Sequence, residues 1–396
     1  MSFDADVVIA GAGPAGAAAA IRLSRAGRCV ILCDRSRFPR DKTCGDGLIA
    51  DSIAALRALG LDRVVAESSC RTNGLVAISP GGTEVRFAST FWVLPRRVLD
   101  DMLVRAALDA GARFEQVIVE APVLEHGRVV GVSGRRPAGG PAACFRSPLT
   151  MLATGAAAGV LRRFNPRARA TASGLAIRTY TRPSRAPLEE LVISLERDLL
   201  PGYAWAFPAP DGLVNVGIGA MRAHDLRAGD VNLRQRLEAL LAGQGVLGRM
   251  LGPQQPLTPF QGAPIRTGLR GAPFGRPGLV VIGEAAGTTY ALSGEGIGKA
   301  MESAMLAADL ALEAGADAPA IGTTYGQTMC RRYAPRFKTY DVAQRWVAFP
   351  WIADYVARRA NRSGWVHDRL TRIITEQALP TQVFSARNLW RLMTHG

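Results

Sequence analysis

The first residues whose types and spacing indicate chemistry are three glycines, Gly11, Gly13 and Gly16, which follow a short apolar run near the start of the chain. Gly11 permits a tight turn, Gly13 lets the backbone approach a pyrophosphate, and Gly16 allows a strand and a helix to pack closely. Pro14 and Ala15 stand at the start of the predicted helix, whose N-terminal N–H groups can bind phosphate. The spacing predicts the phosphate-binding turn of a dinucleotide site.

An acidic residue completes this unit. A second apolar run, Cys29 to Cys33, leads to Asp34 and then Arg35. An acid at this distance from the glycine turn can accept hydrogen bonds from an adenosine ribose, and we place Arg35 beside it among the cofactor-binding residues. Strand, turn, Ala-rich helix, second strand and acid in this order predict a nucleotide-binding α/β unit. The alternative is an ordinary Ala- and Gly-rich helix start.

Cys44 is the first candidate catalytic side chain. It stands with Gly45, Gly47 and other helix breakers in a polar loop over residues 39–47, a composition that predicts a functional loop. The thiol could act as a proton donor or a redox partner, or it could be a small residue packed in a cofactor loop. The sequence leaves both interpretations open.

Tyr203, Trp205 and Phe207 are the other candidate catalytic residues. They alternate with two alanines, so all three aromatic side chains project from one face of a predicted strand. Such a face lines either a substrate pocket or the protein core. The pocket interpretation favours a small hydrophobic substrate.

The remaining residue types exclude several kinds of chemistry. The six cysteines form no Cys-x-x-Cys pair, and the four histidines form no cluster at metal-ligand spacing. The sequence therefore predicts no metal site and no hydrolase triad. Any chemistry has to come from a bound cofactor.

Length and hydropathy indicate a globular protein. The chain has 396 residues, of which 48% are hydrophobic, and can bury a large core. It opens on a strand without a basic n-region, and its longest charge-free run, Val7 to Ile21, is too short to span a bilayer. We therefore expect a cytoplasmic protein.

Basic charge is concentrated near the C-terminus. The net charge is +15, and residues 331–396 carry 12 Arg and Lys against 4 Asp and Glu. This segment favours contact with an anionic membrane surface or a carrier protein, which would make the protein peripheral at the membrane. A solvated basic helical surface is the alternative. We expect no nucleic-acid partner.

Six motifs together resemble the geranylgeranyl reductase family of FAD-dependent oxidoreductases, part of the para-hydroxybenzoate hydroxylase-like flavoproteins. They are GAGPAG (11–16), PRDKTCGDG (39–47), RxxLDxxL (96–103), ATG (153–155), YAWAFP (203–208) and GEAAG with SGEGI (283–297). The resemblance covers about residues 1–310. The Cys-Gly loop, the Y-x-W-x-F-P strand and G-E-G-I in combination are more selective than the glycine turn.

The resemblance implies FAD, which we expect to be bound non-covalently, and it assigns residues along the cofactor. These are Ala15 and Asp34 at the adenosine half, Val119 at the adenine, Arg96 at the pyrophosphate, Cys44, Gly45 and Gly47 on the flavin loop, and Glu284, Gly296 and Ile297 at the ribityl chain and isoalloxazine. Gly155 ends the Ala-Thr-Gly strand, where a second contact with the dinucleotide is expected. The family usually has Asp at position 284, so the carboxylate of Glu284 is shifted by about one C–C bond.

The expected fold class is α/β (α+β). It combines a discontinuous Rossmann-like FAD-binding domain of the glutathione-reductase/para-hydroxybenzoate-hydroxylase type, an antiparallel β-sheet substrate domain and a C-terminal helical region. The expected bounds are 1–73, 91–173 and 278–322 for the first, 74–90 and 174–277 for the second, and 323–396 for the third. Residues 74–87 are predicted as a hairpin, 231–251 as helical and 253–277 as a Pro- and Gly-rich connection.

Reduction of C=C bonds in a hydrophobic, prenyl-like or natural-product substrate is the function that the resemblance implies. The alternative is an FAD-dependent monooxygenase of secondary metabolism; a halogenase is disfavoured because the W-x-W-x-I-P strand is absent and no lysine lies between Lys42 and Lys299. A third hypothesis is that the protein is a non-catalytic flavin-binding prenyl carrier. No second strand–turn–helix unit of the Gly-x-Gly-x-x-Gly type is apparent, which leaves NADPH, NADH and ferredoxin, or another electron-donor protein, as sources of electrons.

Overall fold

The computed structural model describes residues 2–166, 168, 172–183, 187–221, 232–269, 271, 274–385 and 388. Within these residues the strands form three sheets, and helices pack against them.

The strands, in chain order, are β1 (Val7–Ala10), β2 (Val30–Asp34), β3 (Gly47–Leu48), β4 (Cys70–Ile78), β5 (Glu84–Val93), β6 (Arg113–Gln116), β7 (Ile118–Glu125), β8 (Arg128–Arg135), β9 (Ala142–Arg146), β10 (Leu149–Leu152), β11 (Gly174–Thr181), β12 (Leu191–Ser194), β13 (Tyr203–Pro208), β14 (Val214–Met221), β15 (Gln261–Ile265), β16 (Gly275–Arg276) and β17 (Leu279–Val281).

The α-helices are α1 (Pro14–Arg25), α2 (Ala50–Ala58), α3 (Asp62–Ser68), α4 (Arg96–Asp109), α5 (Ala158–Phe164), α6 (Leu233–Leu241), α7 (Gly245–Leu251), α8 (Ile297–Ala314), α9 (Ile321–Thr328), α10 (Ala334–Val347), α11 (Pro350–Arg362) and α12 (Gly364–Ile374). Short 3-10 turns follow β17 at Gly283–Ala286 and α8 at Gly315–Ala320.

The first sheet has the strand order β16-β17-β10-β1-β2-β6, and its neighbours run parallel except at the β16–β17 edge. Strands β1 and β10 are buried along their whole length, as expected when both faces of a parallel sheet are covered. Helices α1, α4 and α8 cover one face, where small side chains such as Ala17, Ala20 and Ala304 let the helices approach closely. This packing fixes the N-terminus of α1 above the carboxyl ends of the strands.

The small β7-β8-β9 sheet covers the opposite face of the first sheet. Val129, Val132 and Phe145 pack with Val8 and Ile31 in one apolar cluster. Removing this apolar surface from water is the main force that holds the two layers together.

The second sheet has the order β15-β11-β14-β13-β12-β4-β5-β3, with antiparallel neighbours apart from the parallel β12–β4 pair. Leu237, Leu240 and Leu247 of α6 and α7 pack on one face, against Ala204 and Val216. Because side chains alternate along a strand, the other face carries the aromatic residues of β13. The β3–β5 pairing joins the end of the 39–47 loop to this sheet.

The C-terminal helices close over part of the second sheet. Ile352 and Val356 of α11 share an apolar cluster with Phe87 and Phe91 of β5, and the ring of His367 stacks on Phe87 with the centroids 5.3 Å apart. Among the described residues, no helix has both the length and the apolar composition that crossing a bilayer requires.

The predicted fold class is confirmed, and the hairpin predicted over 74–87 is formed by β4 and β5. Two predictions were wrong in detail. Residues 253–277 contain β15 and β16, because pairing at a sheet edge depends on backbone groups that Pro- and Gly-rich composition does not reveal. Residues 233–251 divide into α6 and α7, because Gly243, with a φ of 88°, ends the first helix.

Candidate functional site

The glycine turn between β1 and α1 has the geometry that the sequence predicts. Gly11 has a φ of 106°, and a Cβ there would lie 2.3 Å from the carbonyl oxygen of Ala153. A Cβ on Gly16 would lie 1.8 Å from the carbonyl oxygen of Gly11. Both positions therefore exclude any side chain, which keeps strand, turn and helix in close contact.

Gly13 differs from these two positions because only the ends of two side chains lie near it. A Cβ there would lie 3.7 Å from Nη2 of Arg40 and 3.9 Å from Nη2 of Arg96. Helix α1 begins at Pro14, and no side chain caps its free N–H groups. Unpaired N–H groups, two guanidinium groups and a bare glycine together fit a pyrophosphate.

A buried carboxylate holds the two arginines beside the turn. Arg96 donates from Nε and Nη2 to the two oxygens of Asp100, each at 2.7 Å, and Arg40 Nη1 lies 3.1 Å from Asp100 Oδ2. Although burial opposes its charge, Asp100 raises the pKa of Arg96 above its usual value. Arg40 Nε also lies 3.9 Å from Asp34 Oδ1, so two carboxylates hold the two guanidinium groups in place beside the turn. Sequence reasoning missed Arg40, whose only signal was its place in the 39–47 loop.

Asp34 ends β2 at the expected place, and backbone groups fix its carboxylate. Oδ2 accepts the N–H of Ala12 at 2.9 Å, and Oδ1 accepts the N–H of Ser36 at 2.9 Å. Arg35 beside it is exposed. Val119 lies on β7, and the N–H of Val117, two residues before it, bonds to the carbonyl of Asp34 at 2.8 Å. The carboxyl end of β2, with Asp34 and Arg35, therefore meets the start of β7, which carries Val119, in the region where adenosine is expected.

Gly155 and Glu284 meet where the neighbouring strands β10 and β17 end. Gly155 has a φ of 63°, and a Cβ there would lie 3.7 Å from Oε2 of Glu284. Glu284 Oε1 accepts the N–H of Arg266 at 3.3 Å. The longer side chain of Glu284 therefore still points its carboxylate at the Ala-Thr-Gly turn.

Gly296 and Ile297 form the start of α8, a second helix N-terminus in the same region. A Cβ on Gly296 would lie 2.5 Å from Oγ1 of Thr289, so the turn admits glycine only. Glu295 Oε1 accepts hydrogen bonds from Ser52 Oγ at 2.9 Å and from the N–H of Gly298 at 2.8 Å. Burial raises the pKa of Glu295 to about 8. A neutral carboxyl group therefore supports this turn near pH 7.

The Cys-Gly loop lies directly on the aromatic strand. A Cβ on Gly45 would lie 3.1 Å from Cε2 of Phe207 and 3.5 Å from Nε1 of Trp205, and one on Gly47 would lie 3.4 Å from Phe207 Cε2. Cys44 is half-buried, and the loss of water around its thiol raises its pKa. The structure thus joins two segments that the sequence singled out separately.

The aromatic face of β13 is ordered by ring contacts. The ring centroids of Tyr203 and Trp205 are 6.1 Å apart, and those of Trp205 and Phe207 are 6.5 Å apart. The hydroxyl of Tyr203 donates to the carbonyl of Ser293, in the turn before α8. All three predicted aromatic residues therefore lie together on one face, and Tyr203 joins that face to the α8 turn.

Asp46 is a central residue that sequence reasoning missed. Its carboxylate is fully buried, and it accepts hydrogen bonds from Asn215 Nδ2 at 2.7 Å, from the N–H of Arg96 at 3.2 Å and from the hydroxyl of Tyr180. Burial raises its pKa to about 6. Its position between two glycines was the only signal in the sequence, and its φ of 65° shows the tight turn in the structure. Asp46 ties the loop, α4 and the second sheet together.

A glycine turn above a parallel sheet, joined to an aromatic face through a Cys-Gly loop, defines the class of the protein as a dinucleotide-dependent enzyme of the flavoprotein type. The family model described as an FAD binding domain matches residues 4–132. Menaquinone reductase of Mycolicibacterium smegmatis is 34% identical over 80% of this chain and 78% of its own length. Digeranylgeranylglycerophospholipid reductase 1 of Methanopyrus kandleri is 28% identical over 78% of this chain and 80% of its own length.

Solved structures share the fold. A geranylgeranyl bacteriochlorophyll reductase-like protein from Thermoplasma acidophilum superposes with a TM-score of 0.77 at 21% identity, covering 98% of this chain and 95% of that one. A flavin-dependent brominase gives a TM-score of 0.75 at 20% identity, with 99% and 98% covered. The chain belongs to the geranylgeranyl reductase family of FAD-dependent oxidoreductases. The resemblance, the fold and the FAD-dependent oxidoreductase class predicted from the sequence are confirmed.

Proposed function

We propose that the protein reduces C=C bonds of a prenyl-like hydrophobic substrate. The observation that carries this proposal is the packing of Gly45 and Gly47 on Phe207 and Trp205, because it brings the loop implied for the flavin against a wall suited to an apolar substrate. Relatives named as reductases of menaquinone and of digeranylgeranyl lipid support the same reaction class.

The residues at the glycine turn fit FAD. Gly13, the start of α1, and Arg40 with Arg96 would hold the pyrophosphate, and Asp34 would hold the ribose. Gly155, Glu284 and the start of α8 would hold the ribityl chain and the flavin ring. Bound and reduced, FAD supplies a hydride for one carbon of the double bond.

The other carbon needs a proton, which an acidic side chain or water can supply. Cys44 carries a thiol on the loop implied for the flavin. Burial raises the pKa of this thiol, so it stays protonated at neutral pH. A protonated thiol can donate a proton but is a poor nucleophile. We assign Cys44 the role of proton donor, and the aromatic face of β13 the roles of orienting the substrate and excluding water.

Electrons must reach the flavin from outside the chain. NADPH, NADH and ferredoxin are the donors to compare, by following the loss of flavin absorbance after each is added under argon.

The substrate test uses the same anaerobic cuvette. Chemically reduced protein should regain its flavin absorbance when a geranylgeranyl lipid without a quinone ring is added, whereas a carrier protein would stay reduced. Substrate turnover that begins only after air is admitted, and that adds one oxygen atom to the substrate, would favour the monooxygenase.

We also propose that the C-terminal helices contact an anionic membrane surface, where such substrates dissolve. Trp351 and Trp365 are 60% and 51% exposed, and Arg369 lies over the ring of Trp365 at 4.3 Å. Exposed tryptophan among arginines suits the boundary of an acidic bilayer. Sedimentation with vesicles should therefore require anionic lipid and should weaken when both tryptophans are replaced by serine; equal binding to neutral vesicles would contradict the proposal.

A further inference from the structure

Arg178 on β11 is a fully buried cation whose donors are only partly used. Its Nη2 donates to both carboxylate oxygens of Asp41, at 2.6 and 2.7 Å. Its Nε and Nη1 are buried and have no hydrogen-bond partner among the described residues. Buried N–H groups of a guanidinium are costly to leave unpaired, so their presence here points to an acceptor that arrives with a ligand.

The place of Arg178 in the sheet connects it to the candidate substrate wall. Strand register puts Arg178 opposite Gly217 on β14, and Gly217 opposite Trp205 on β13, so the three positions form one row on one face. A Cβ on Gly217 would lie 2.3 Å from Cζ2 of Trp205, which shows that the indole leans over the glycine toward Arg178. The next row contains Tyr180, Asn215 and Phe207.

An aromatic ring lies beside the guanidinium of Arg178. The guanidinium carbon of Arg178 lies 4.6 Å from the ring centroid of Tyr180, and the indole of Trp205 extends from the other side of the row. Planar aromatic and guanidinium surfaces pack best against another planar group. The ligand chemistry is therefore a flat ring that carries an oxygen acceptor.

The charges around Arg178 favour a neutral acceptor over an anion. Asp41 already pairs with the guanidinium; burial opposes its ionisation, but the hydrogen bond and charge of Arg178 lower its pKa below the usual value. Asp46 adds a second carboxylate, through the hydroxyl of Tyr180. Lys42, on the same loop, directs its Nζ to the carbonyl of Thr43 at 3.4 Å. A phosphate at Arg178 would meet these carboxylates, whereas a carbonyl oxygen brings no net charge.

We propose that Arg178 donates a hydrogen bond to a carbonyl oxygen of a prenylated quinone and so selects quinone-headed substrates. This inference rests on the proposed function and names the substrate class of the same site. The polar part of the substrate that enters the pocket is then a neutral ring.

The first test measures binding without turnover. Menadione, a naphthoquinone that has no prenyl chain, is titrated calorimetrically into the FAD-loaded, oxidised protein. Arg178→Met should weaken its binding about tenfold or more, the loss expected for one charge-assisted hydrogen bond. Arg182→Met is the matched control, because Arg182 is exposed just beyond β11 and bonds only to the carbonyl of Asp211 among the described contacts. Equal affinities of wild type and Arg178→Met overturn the proposal.

A second variant protects the test against simple unfolding. Arg178→Lys keeps a positive charge for Asp41 but removes Nε and Nη1, so it should fold, keep its FAD and still lose menadione affinity. Unchanged menadione affinity in Arg178→Lys counts against the proposal. So does a change in FAD affinity or in the flavin spectrum without a change in quinone binding, because it would assign Arg178 to the cofactor.

Turnover separates this inference from the proposed function. Under argon, Arg178→Lys should lose activity toward a prenylated naphthoquinone by a larger factor than toward a digeranylgeranyl phospholipid, which has no quinone ring. Equal losses on both substrates overturn the role of Arg178 while leaving C=C reduction intact. If wild type binds menadione through Arg178 but reduces no prenyl double bond, the proposed function fails and the binding site stands.

Discussion

Trp205 donates its indole N–H to Oδ1 of Asn215 at 2.9 Å, in the interior of the second sheet. The amide nitrogen of Asn215 in turn donates to the carbonyl of Cys44 at 2.8 Å and to Asp46. The aromatic wall and the Cys-Gly loop are therefore held in register by a single side chain. Any motion of the loop must break these bonds, which makes Asn215 a positioning residue for both parts of the site.

Replacing Asn215 with Leu should destabilise the fold and loosen the loop. The substitution leaves the indole N–H of Trp205 and the carbonyl of Cys44 without this partner, and it removes one hydrogen bond to Asp46. Each buried group left unpaired costs roughly 1–3 kcal/mol of unfolding free energy. Urea denaturation should show this loss of unfolding free energy. Asn361→Leu is the control, since Asn361 is exposed and makes one bond to the carbonyl of Glu84. Equal effects of the two substitutions would show that the Asn215 bonds contribute little.

Gly13→Val should abolish FAD binding and leave the fold intact. A Cβ at Gly13 makes only ordinary contacts with Arg40 and Arg96, so the protein tolerates it, but the branched side chain fills the approach to the pyrophosphate. Gly159→Val places the same side chain on an open surface and should keep FAD. The measurement is the flavin released per chain after denaturation. If the Gly13→Val protein still bound FAD, the assignment of Gly13 to the pyrophosphate site would be wrong.

Cys44→Ala should keep FAD and slow turnover, because it removes the thiol but not the backbone carbonyl that Asn215 holds. A lost proton donor typically costs about 100- to 10,000-fold in rate. Cys44→Ser restores a weak donor and should recover part of the rate. Single-turnover reoxidation of reduced flavin by substrate measures the step itself. Unchanged turnover in Cys44→Ala would return Cys44 to a packing role.

Glu295→Gln should flatten the pH dependence of stability. Burial, together with the nearby charges of Asp51 and Glu376, raises the pKa of Glu295 from the ordinary 4.5 to about 8. Between these values the folded protein keeps a proton that the unfolded chain loses, so stability falls as the pH rises from 4.5 toward 8. Gln keeps the neutral form at every pH.

Thermal unfolding across this pH range measures the effect. The melting temperature of the wild type should fall more steeply with rising pH than that of Glu295→Gln. Asp46, whose pKa is about 6, should cause a smaller fall of the melting temperature in both proteins. Glu238→Gln, at an exposed helix position, should leave the wild-type slope unchanged. Parallel slopes in wild type and Glu295→Gln would contradict a neutral Glu295.

The sequence predicted the parts of this protein whose chemistry is local. The glycines at 11, 13 and 16 and the alternation of Tyr203, Trp205 and Phe207 each follow from one short segment, and the structure has both features. Sequence reasoning missed Arg40, Asp46 and Arg178 because their roles depend on partners far along the chain. Arg178 bonds to Asp41, and Asp46 to Asn215, across separations that no local periodicity records.

The shortest strands could not be predicted from the sequence for a related reason. Strand β3 has two residues and β16 has two, so neither displays an alternating pattern. Yet β3 attaches the end of the Cys-Gly loop to the second sheet. The link between cofactor loop and substrate wall is thus a tertiary property, visible only once both sheets are in place.

The most direct test of the central claim is the mass of the product formed under argon. Protein whose FAD has been chemically reduced is mixed with a prenylated naphthoquinone without dioxygen, and the extracted lipid is weighed by mass spectrometry beside a Cys44→Ala sample. After any quinol in the extract has been reoxidised in air to the quinone, the account predicts a product that is still heavier by two hydrogen atoms, which lie in the prenyl chain. A product that appears only in air and is heavier by one oxygen atom would contradict C=C reduction.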